Sequence, residues 1–257
     1  ENYPAFEEAL SIDLKLPFFS ISTQTCTRKQ DLSVLNTLAS LGATLHKFAF
    51  DLRVLQSPPI GETSEYFSPK QVGSSAMPFK RNPINSEKID SLARQLSAYP
   101  QVAWQNAATN LLERTLDDSA NRRTILPESF LICDEMLQVM TRLVKNMTFN
   151  HEVIQRNLEI YAPFACTERV MMALSKKGAD RQETHELLRE HAMTAWRNIQ
   201  SGGKNNLVGL LQQDPNIMQY LTASEIAELA QVSTYTGIAP SACRSLVDLI
   251  RKSVVNC

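Results

Sequence analysis

Between Leu32 and Leu55 the large apolar residues fall at Leu32, Leu35, Leu38, Leu41, Leu45, Phe48, Leu52 and Leu55, and every step is three or four. That spacing marks one face of an α-helix, because a half-buried strand would need steps of two. At 1.5 Å per residue the helix runs to roughly 35 Å, a length suited to a bundle or a subunit interface. A second helix is predicted to start at Asn82-Pro83, with Asn82 as N-cap and Pro83 at its first position. It should continue through Ile89, Leu92 and Leu96 until Pro100 kinks or breaks it. A third is predicted from Pro127, carrying Phe130, Leu131, Met136, Leu137, Met140, Leu143, Val144 and Met147.

After Asn150 the helical segments shorten, punctuated at Pro163, Gly178, Gly202-Gly203, Pro215 and Gly237. Thr222-Ala223-Ser224-Glu225 has the spacing of a capping box, and Pro240 is placed to open a last helix over 241–255. Sustained period-two runs are scarce. The expected fold class is therefore all-α, with a long-helix domain over 1–149 and a smaller helical domain over 150–257.

Composition narrows the partners. The 257 residues are 43% hydrophobic, enough for a substantial buried core. Lys plus Arg number 26 against 27 for Asp plus Glu, so no basic excess offers itself to a nucleic-acid backbone, and any cationic site must be local. No apolar run approaches the roughly 20 residues of a membrane helix. Cys26, Cys133, Cys166, Cys243 and Cys257 contain no Cys-x-x-Cys pair, which favours free thiols in the cytoplasm over disulfides or zinc. Neither metal nor cofactor is expected. The opening Glu1-Asn2-Tyr3-Pro4 lacks an initiator Met and a signal-peptide pattern, which suggests a piece of a longer protein.

Chemistry concentrates in Gly73-Ser74-Ser75-Ala76-Met77-Pro78-Phe79-Lys80-Arg81-Asn82-Pro83, which lies between two long helices. A glycine followed by two serines lets backbone N–H groups approach an anion, and Lys80 and Arg81 add positive charge near a helix start. Such a loop suits a carboxylate; a plain helix-to-helix connection would read the same way. A second polar run, Glu113-Arg114-Thr115-Leu116-Asp117-Asp118-Ser119-Ala120-Asn121-Arg122-Arg123, sets guanidinium groups and a hydroxyl on one loop. That set suits a phosphate monoester, although Asp117 and Asp118 are equally placed to pair with Arg114 and Arg123 in a solvated network.

The first run resembles the signature loop of the fumarase, aspartase and argininosuccinate lyase superfamily. The second, together with Ser22-Thr23-Gln24-Thr25-Cys26-Thr27-Arg28-Lys29, resembles the adenylosuccinate lyases in particular. Weaker likeness extends through Leu38-Ala39-Ser40-Leu41-Gly42-Ala43 and Asp51-Leu52-Arg53 to Thr167-Glu168-Arg169 and Arg181-Gln182. The resemblance implies the central helical bundle of that fold, with the signature loop at 72–83, followed by the family's carboxy-terminal domain. It implies β-elimination of fumarate from adenylosuccinate and from the succinyl-carboxamide ribotide, in a homotetramer whose active sites draw on more than one subunit.

Residue by residue, the resemblance makes Ser74 the general base. An unassisted hydroxyl is a poor base and needs cations and backbone donors around it. Ser75, Lys80 and Asn82 match substrate-binding positions, Lys80 and Asn82 at the succinyl carboxylates. Glu87 matches the glutamate that orients the catalytic histidine, although an acidic residue in a helix's first turn needs no such role. Lys88 stands where eukaryotic members commonly have arginine, and lysine keeps the charge without the bidentate fork. Gln24 matches a substrate-binding glutamine, where an ordinary polar loop residue would also fit. Arg114, Ser119 and Arg123 match the nucleotide end.

None of His46, His151, His185 and His191 matches the family's acid, so these four are expected to be structural or surface histidines and the chain alone is expected to be inactive. The loop 72–81 is expected to be mobile without ligand and to close over a succinyl group. Competing readings are another lyase of the superfamily, such as an argininosuccinate lyase or a cycloisomerase, and a catalytically silent helical oligomerisation protein. A phosphate site argues against the first, and the signature loop against the second.

Overall fold

The structure is a computed structural model that describes residues 2–67, 77 and 79–255. Among these, nearly all regular structure is helical; the two strands, β1 (Thr63–Ser64) and β2 (Thr148–Phe149), form one antiparallel pair with Thr63 opposite Phe149. No helix among the described residues is long and apolar enough to cross a membrane. Contacts divide the chain into two units, Glu1–Asn150 and His151–Cys257.

The first unit holds α1 (Tyr3–Leu14), α2 (Lys29–Gln56), α3 (Ile84–Ala108) and α4 (Ser119–Asn146). Leu35 of early α2 packs with Ala103 of late α3 and Ile125 of early α4, whereas Ala49, Leu52, Ile89 and Met140 share the opposite end of the core. The three long helices therefore run up, down and up. Their seam is not the row of leucines alone: Gly42 and Ala49 are buried on α2, while Leu41 and Phe48 of the predicted stripe are exposed. A Cβ built on Gly42 would sit 2.9 Å from Leu96 Cδ2, so close approach of α2 and α3 depends on a missing side chain there.

Three sequence expectations are corrected. Helix α3 begins at Ile84, two residues after the predicted cap, and neither Asn82 nor Pro83 caps it; the first-turn donors go instead to Glu65, described below. Pro100 does not end α3, which continues to Ala108. The cost of the lost backbone bond is borne inside a helix held by buried Ala93, Leu96 and Ala103. Helix α4 begins at Ser119, and Pro127 lies inside it, because long-range bonds to Asp118 and Asn121 fix a start that local propensity does not announce.

The second unit holds α5 (His151–Tyr161), α6 (Cys166–Lys176), α7 (Arg181–Gln200), α8 (Leu207–Gln213), α9 (Pro215–Met218), α10 (Ala223–Leu229) and α11 (Ala239–Val255). Its core gathers Val170, Leu174, Leu188, Leu207, Leu211, Ile217 and Ile226, with Cys166 among them; burial pushes that thiol up to about 11. The predicted capping box is present: Thr222 Oγ1 accepts from the Glu225 N–H, and the Glu225 carboxylate accepts from the Thr222 N–H at 2.7 Å.

Lys177, 2.6 Å away, and these Thr222 donors hold the exposed Glu225 carboxyl down at about 2, against an ordinary 4.5. A depressed folded-state value means that the stabilisation is complete above 4.5 and is lost as pH falls toward 2. Helix α10 should accordingly fray at its start over that window. Amide protection at Glu225 should fall on acidification in the native chain, and Glu225→Gln should flatten the dependence; equal profiles would remove the cap from the acid response.

Candidate functional site

The polar residues singled out in the first unit gather at two places, one at each end of α3. At its amino end, a cleft of about 760 Å³ lies among the last turn of α2, β1, residues 79–83 and the first turn of α3. Lys80, Asn82 and Glu87 all line it, joined by Arg53, Gln56 and Arg81. Lys80 and Arg81 make no ion pair among the described residues, whereas Arg53 donates to the fully buried Asp90 at 2.7 Å. His46 Nδ1 lies 2.8 Å from the other Asp90 oxygen, within ion-pair reach but without hydrogen-bond alignment. The wall therefore carries two uncompensated cations facing one carboxylate, a balance that favours an anionic ligand.

Lys88 is the exception among the residues predicted near this end. Its ammonium pairs with Glu135 on α4, holding that carboxyl below the usual range, and it does not line the cleft. Ser74 and Ser75 lie outside the described residues, and the expectation of a mobile loop falls largely on the same stretch.

At the carboxy end of α3, reciprocal side-chain amide bonds between Asn106 and Asn121, at 2.6 and 3.0 Å, tie its last turn to the first turn of α4. Two ion pairs fasten the start of α2 to the same place. Buried Arg28 donates to buried Asp118, and Arg122 donates to Asp31 at 2.6 Å, which holds the Arg122 guanidinium above its ordinary value. Asp117, for its part, accepts from the Thr115 hydroxyl at 2.7 Å. The open alternative that Asp117 and Asp118 pair with Arg114 and Arg123 is therefore not what forms. Arg114 and Arg123 stand exposed, with no ion pair among the described residues.

Asp118 is the N-cap residue of α4, yet its side chain makes no capping bond, because Arg28 engages it and cancels its charge. The start of α4 is left with uncapped backbone donors, the half-buried Ser119 at its first position, and Arg123 one turn on along the same face. Leu112 bends the incoming chain with a left-handed φ of 45°, ahead of Arg114. Backbone donors, a hydroxyl and guanidinium groups at a helix start have the chemistry that suits a phosphate-like anion. Gln24 is exposed in the segment that Arg28 and Asp31 fasten here.

The two clusters are far apart within one chain. From Glu87 to Ala108 the helix rises roughly 30 Å, well beyond the span of a mononucleotide. Lys80, Asn82 and Glu87 are thus brought together on one cleft, and Ser119 and Arg123 share the first turns of α4, but the two sets do not converge on one ligand. In the first unit His46 faces Asp90; in the second unit His191 pairs with Asp214 at 2.8 Å, and His151 and His185 are exposed. Among the described residues no group of three His, Cys, Asp or Glu side chains is arranged to hold a metal.

Sequence reasoning missed Glu65, a buried carboxylate just after β1, because its partners Asn85 and Ser86 lie 20 and 21 residues further on and no local pattern links them. Arg53 falls within a segment already noted for its likeness, but nothing local separated it from an ordinary helix-surface arginine.

Comparison with known proteins matches residues 4–97 to a family model described as Lyase and residues 163–246 to one described as Adenylosuccinate lyase C-terminus. Adenylosuccinate lyase of Schizosaccharomyces pombe is 39% identical over 231 residues, covering 90% of this chain and 47% of its own length. The Saccharomyces cerevisiae enzyme is 37% identical, covering 93% of this chain and 48% of its own length. The chain spans about half the length of the curated relatives it matches. Among solved structures, 3-carboxy-cis,cis-muconate lactonizing enzyme from Pseudomonas putida superposes with a TM-score of 0.74 at 24% identity, over 90% of this chain and 50% of that one, a likeness of fold alone.

Proposed function

Because the chain belongs to the adenylosuccinate lyase family, we propose that it forms part of an enzyme that eliminates fumarate from adenylosuccinate to leave AMP. The same elimination would act on the succinyl-carboxamide ribotide, and both reactions belong to purine biosynthesis. Ser74 takes the proton beside a succinyl carboxylate, Lys80 and Asn82 hold the carboxylates with Ser75, and a histidine outside residues 1–257 protonates the departing nitrogen. The observation that carries this reading is the receptor at the start of α4. There Arg28 neutralises Asp118, and Arg114, Ser119 and Arg123 are left available for a phosphate.

The separation of the clusters along α3 supports active sites built between copies, with the cleft of one chain facing the phosphate receptor of another. Phe130, Leu137 and Val144, exposed at heptad spacing on α4, offer an apolar seam for that association. A cytoplasmic homotetramer is the assembly proposed, and the free cysteines Cys26, Cys133, Cys166 and Cys243 suit a reducing compartment.

The reading is tested by calorimetric titration of AMP and adenosine into the full-length enzyme. Arg114→Ala or Arg123→Ala should weaken AMP by about one to two decades, the worth of a charged hydrogen bond of roughly 1.5–3 kcal/mol, and leave adenosine unchanged. Unaltered AMP affinity in both variants would remove the phosphate assignment.

A further inference from the structure

Glu65 is 7% exposed and makes no ion pair among the described residues. Its carboxylate is satisfied by neutral donors: the Asn85 N–H at 3.1 Å, the Asn85 side-chain amide at 2.8 Å and the Ser86 N–H at 2.6 Å. Asn85 and Ser86 belong to the first turn of α3, whose own N-cap position is occupied by Pro83 and supplies no side-chain acceptor. Glu65 therefore caps α3 from outside it, and a buried carboxylate held by three such donors is costly to alter.

The same residue is tied to the signature segment. Its N–H donates to Gln56 Oε1 at 2.9 Å, and Gln56 Nε2 donates to the Arg81 carbonyl at 3.2 Å. Because one partner is solely a donor and the other solely an acceptor, they fix which way the Gln56 amide points. The end of α2, the chain leaving β1, the backbone at Arg81 and the start of α3 are thus joined in one relay, and Arg81 lies between Lys80 and Asn82.

We propose that Gln56 and Glu65 are positioning residues of the elimination, holding the base of the signature segment so that Lys80 and Asn82 stand in register with Glu87 across the cleft. This rests on the reading of Lys80 as a succinyl-binding residue. Misplacing reactive groups by about 1 Å can cost on the order of 100-fold in rate, whereas a helix cap that serves stability alone leaves kcat intact at temperatures where the protein stays folded.

The test is a double-mutant cycle in the assembled full-length enzyme with adenylosuccinate as substrate. Gln56→Leu, which leaves the Glu65 cap in place, and Glu65→Gln should each lower kcat/KM by about 10- to 100-fold. Affinity for AMP, which carries no succinyl group and is gripped through its phosphate at the far end of α3, should not change. In a Lys80→Ala background the further loss should shrink to less than about threefold, because the positioned group is gone. Gln56→Glu keeps the acceptor for Glu65 and loses the donor to Arg81, so it should behave as Gln56→Leu does. Losses fully additive with an active-site Lys80, or a lowered melting temperature with unchanged kcat/KM, overturn the positioning role while leaving the proposed function standing. If Lys80→Ala by itself leaves kcat/KM unchanged, the reading of the cleft falls, and the positioning role falls with it. Should Glu65→Gln fail to fold, the Gln56 variants decide the question alone.

Discussion

Ser74→Ala should lower turnover of adenylosuccinate by about 10²–10⁴-fold in the full-length enzyme while changing substrate affinity little. As the proposed base, the hydroxyl would act on a proton in flight, so its contribution would exist in the transition state and be nearly absent in the ground state. Lys80 and the proposed phosphate receptor, by contrast, are assigned to charges the substrate carries throughout, so their removal should appear mainly in affinity. Fumarate release followed by absorbance, together with substrate binding to the inactive variant, separates the two effects. A variant that keeps a third or more of native kcat would show that another group removes the proton. Residues 1–257 alone are expected to release no fumarate.

The second large effect is on stability. Asp118→Ala should destabilise the first unit by about 3–5 kcal/mol, because it leaves the Arg28 guanidinium buried without its partner. Their side chains are 9% and 2% exposed, so water cannot take over from the missing carboxylate. Net stabilities of roughly 5–15 kcal/mol make that a large fraction of the whole. The Arg122 to Asp31 pair, at 26% and 16% exposure, is the internal comparison; Arg122→Ala should cost clearly less, nearer the roughly 1 kcal/mol of a solvated pair. Urea unfolding of the three proteins measures both differences. Losses of similar size would mean that burial is not what makes the Arg28 pair matter.

Asp118→Ala should also weaken AMP, because Arg28 and Asp118 hold the Gln24 segment against the start of α4. The shape of the proposed phosphate receptor therefore depends on an interaction spanning 90 residues of sequence. That is why the pairing of Asp117 and Asp118 stayed open in the sequence: both acids lie three to six positions from Arg114 and Arg123, and local spacing favoured a local network. Folding placed a more distant arginine in the buried position instead.

A similar division runs through the rest of the molecule. Helical periodicity is a local property of side-chain spacing, so the helix over 29–56, the all-α class and the capping box at Thr222 were legible residue by residue. The order of glycine, serines and cations in the signature segment carried a resemblance, and its chemistry belongs to the proposed function. The starts of α3 and α4 were not legible, because Glu65 and Arg28 reach them from 20 and 90 residues away. Nor was the burial of Gly42 and Ala49, which appear in no list of large apolar residues yet sit where the helices meet. The sequence by itself determined the helical periodicity and the order of hydroxyl and cationic residues in the two polar runs. Only the tertiary structure decided which cations stay uncompensated and that the two sets lie at opposite ends of a helix of 25 residues, because charge pairing and separation in space depend on the path of the whole chain.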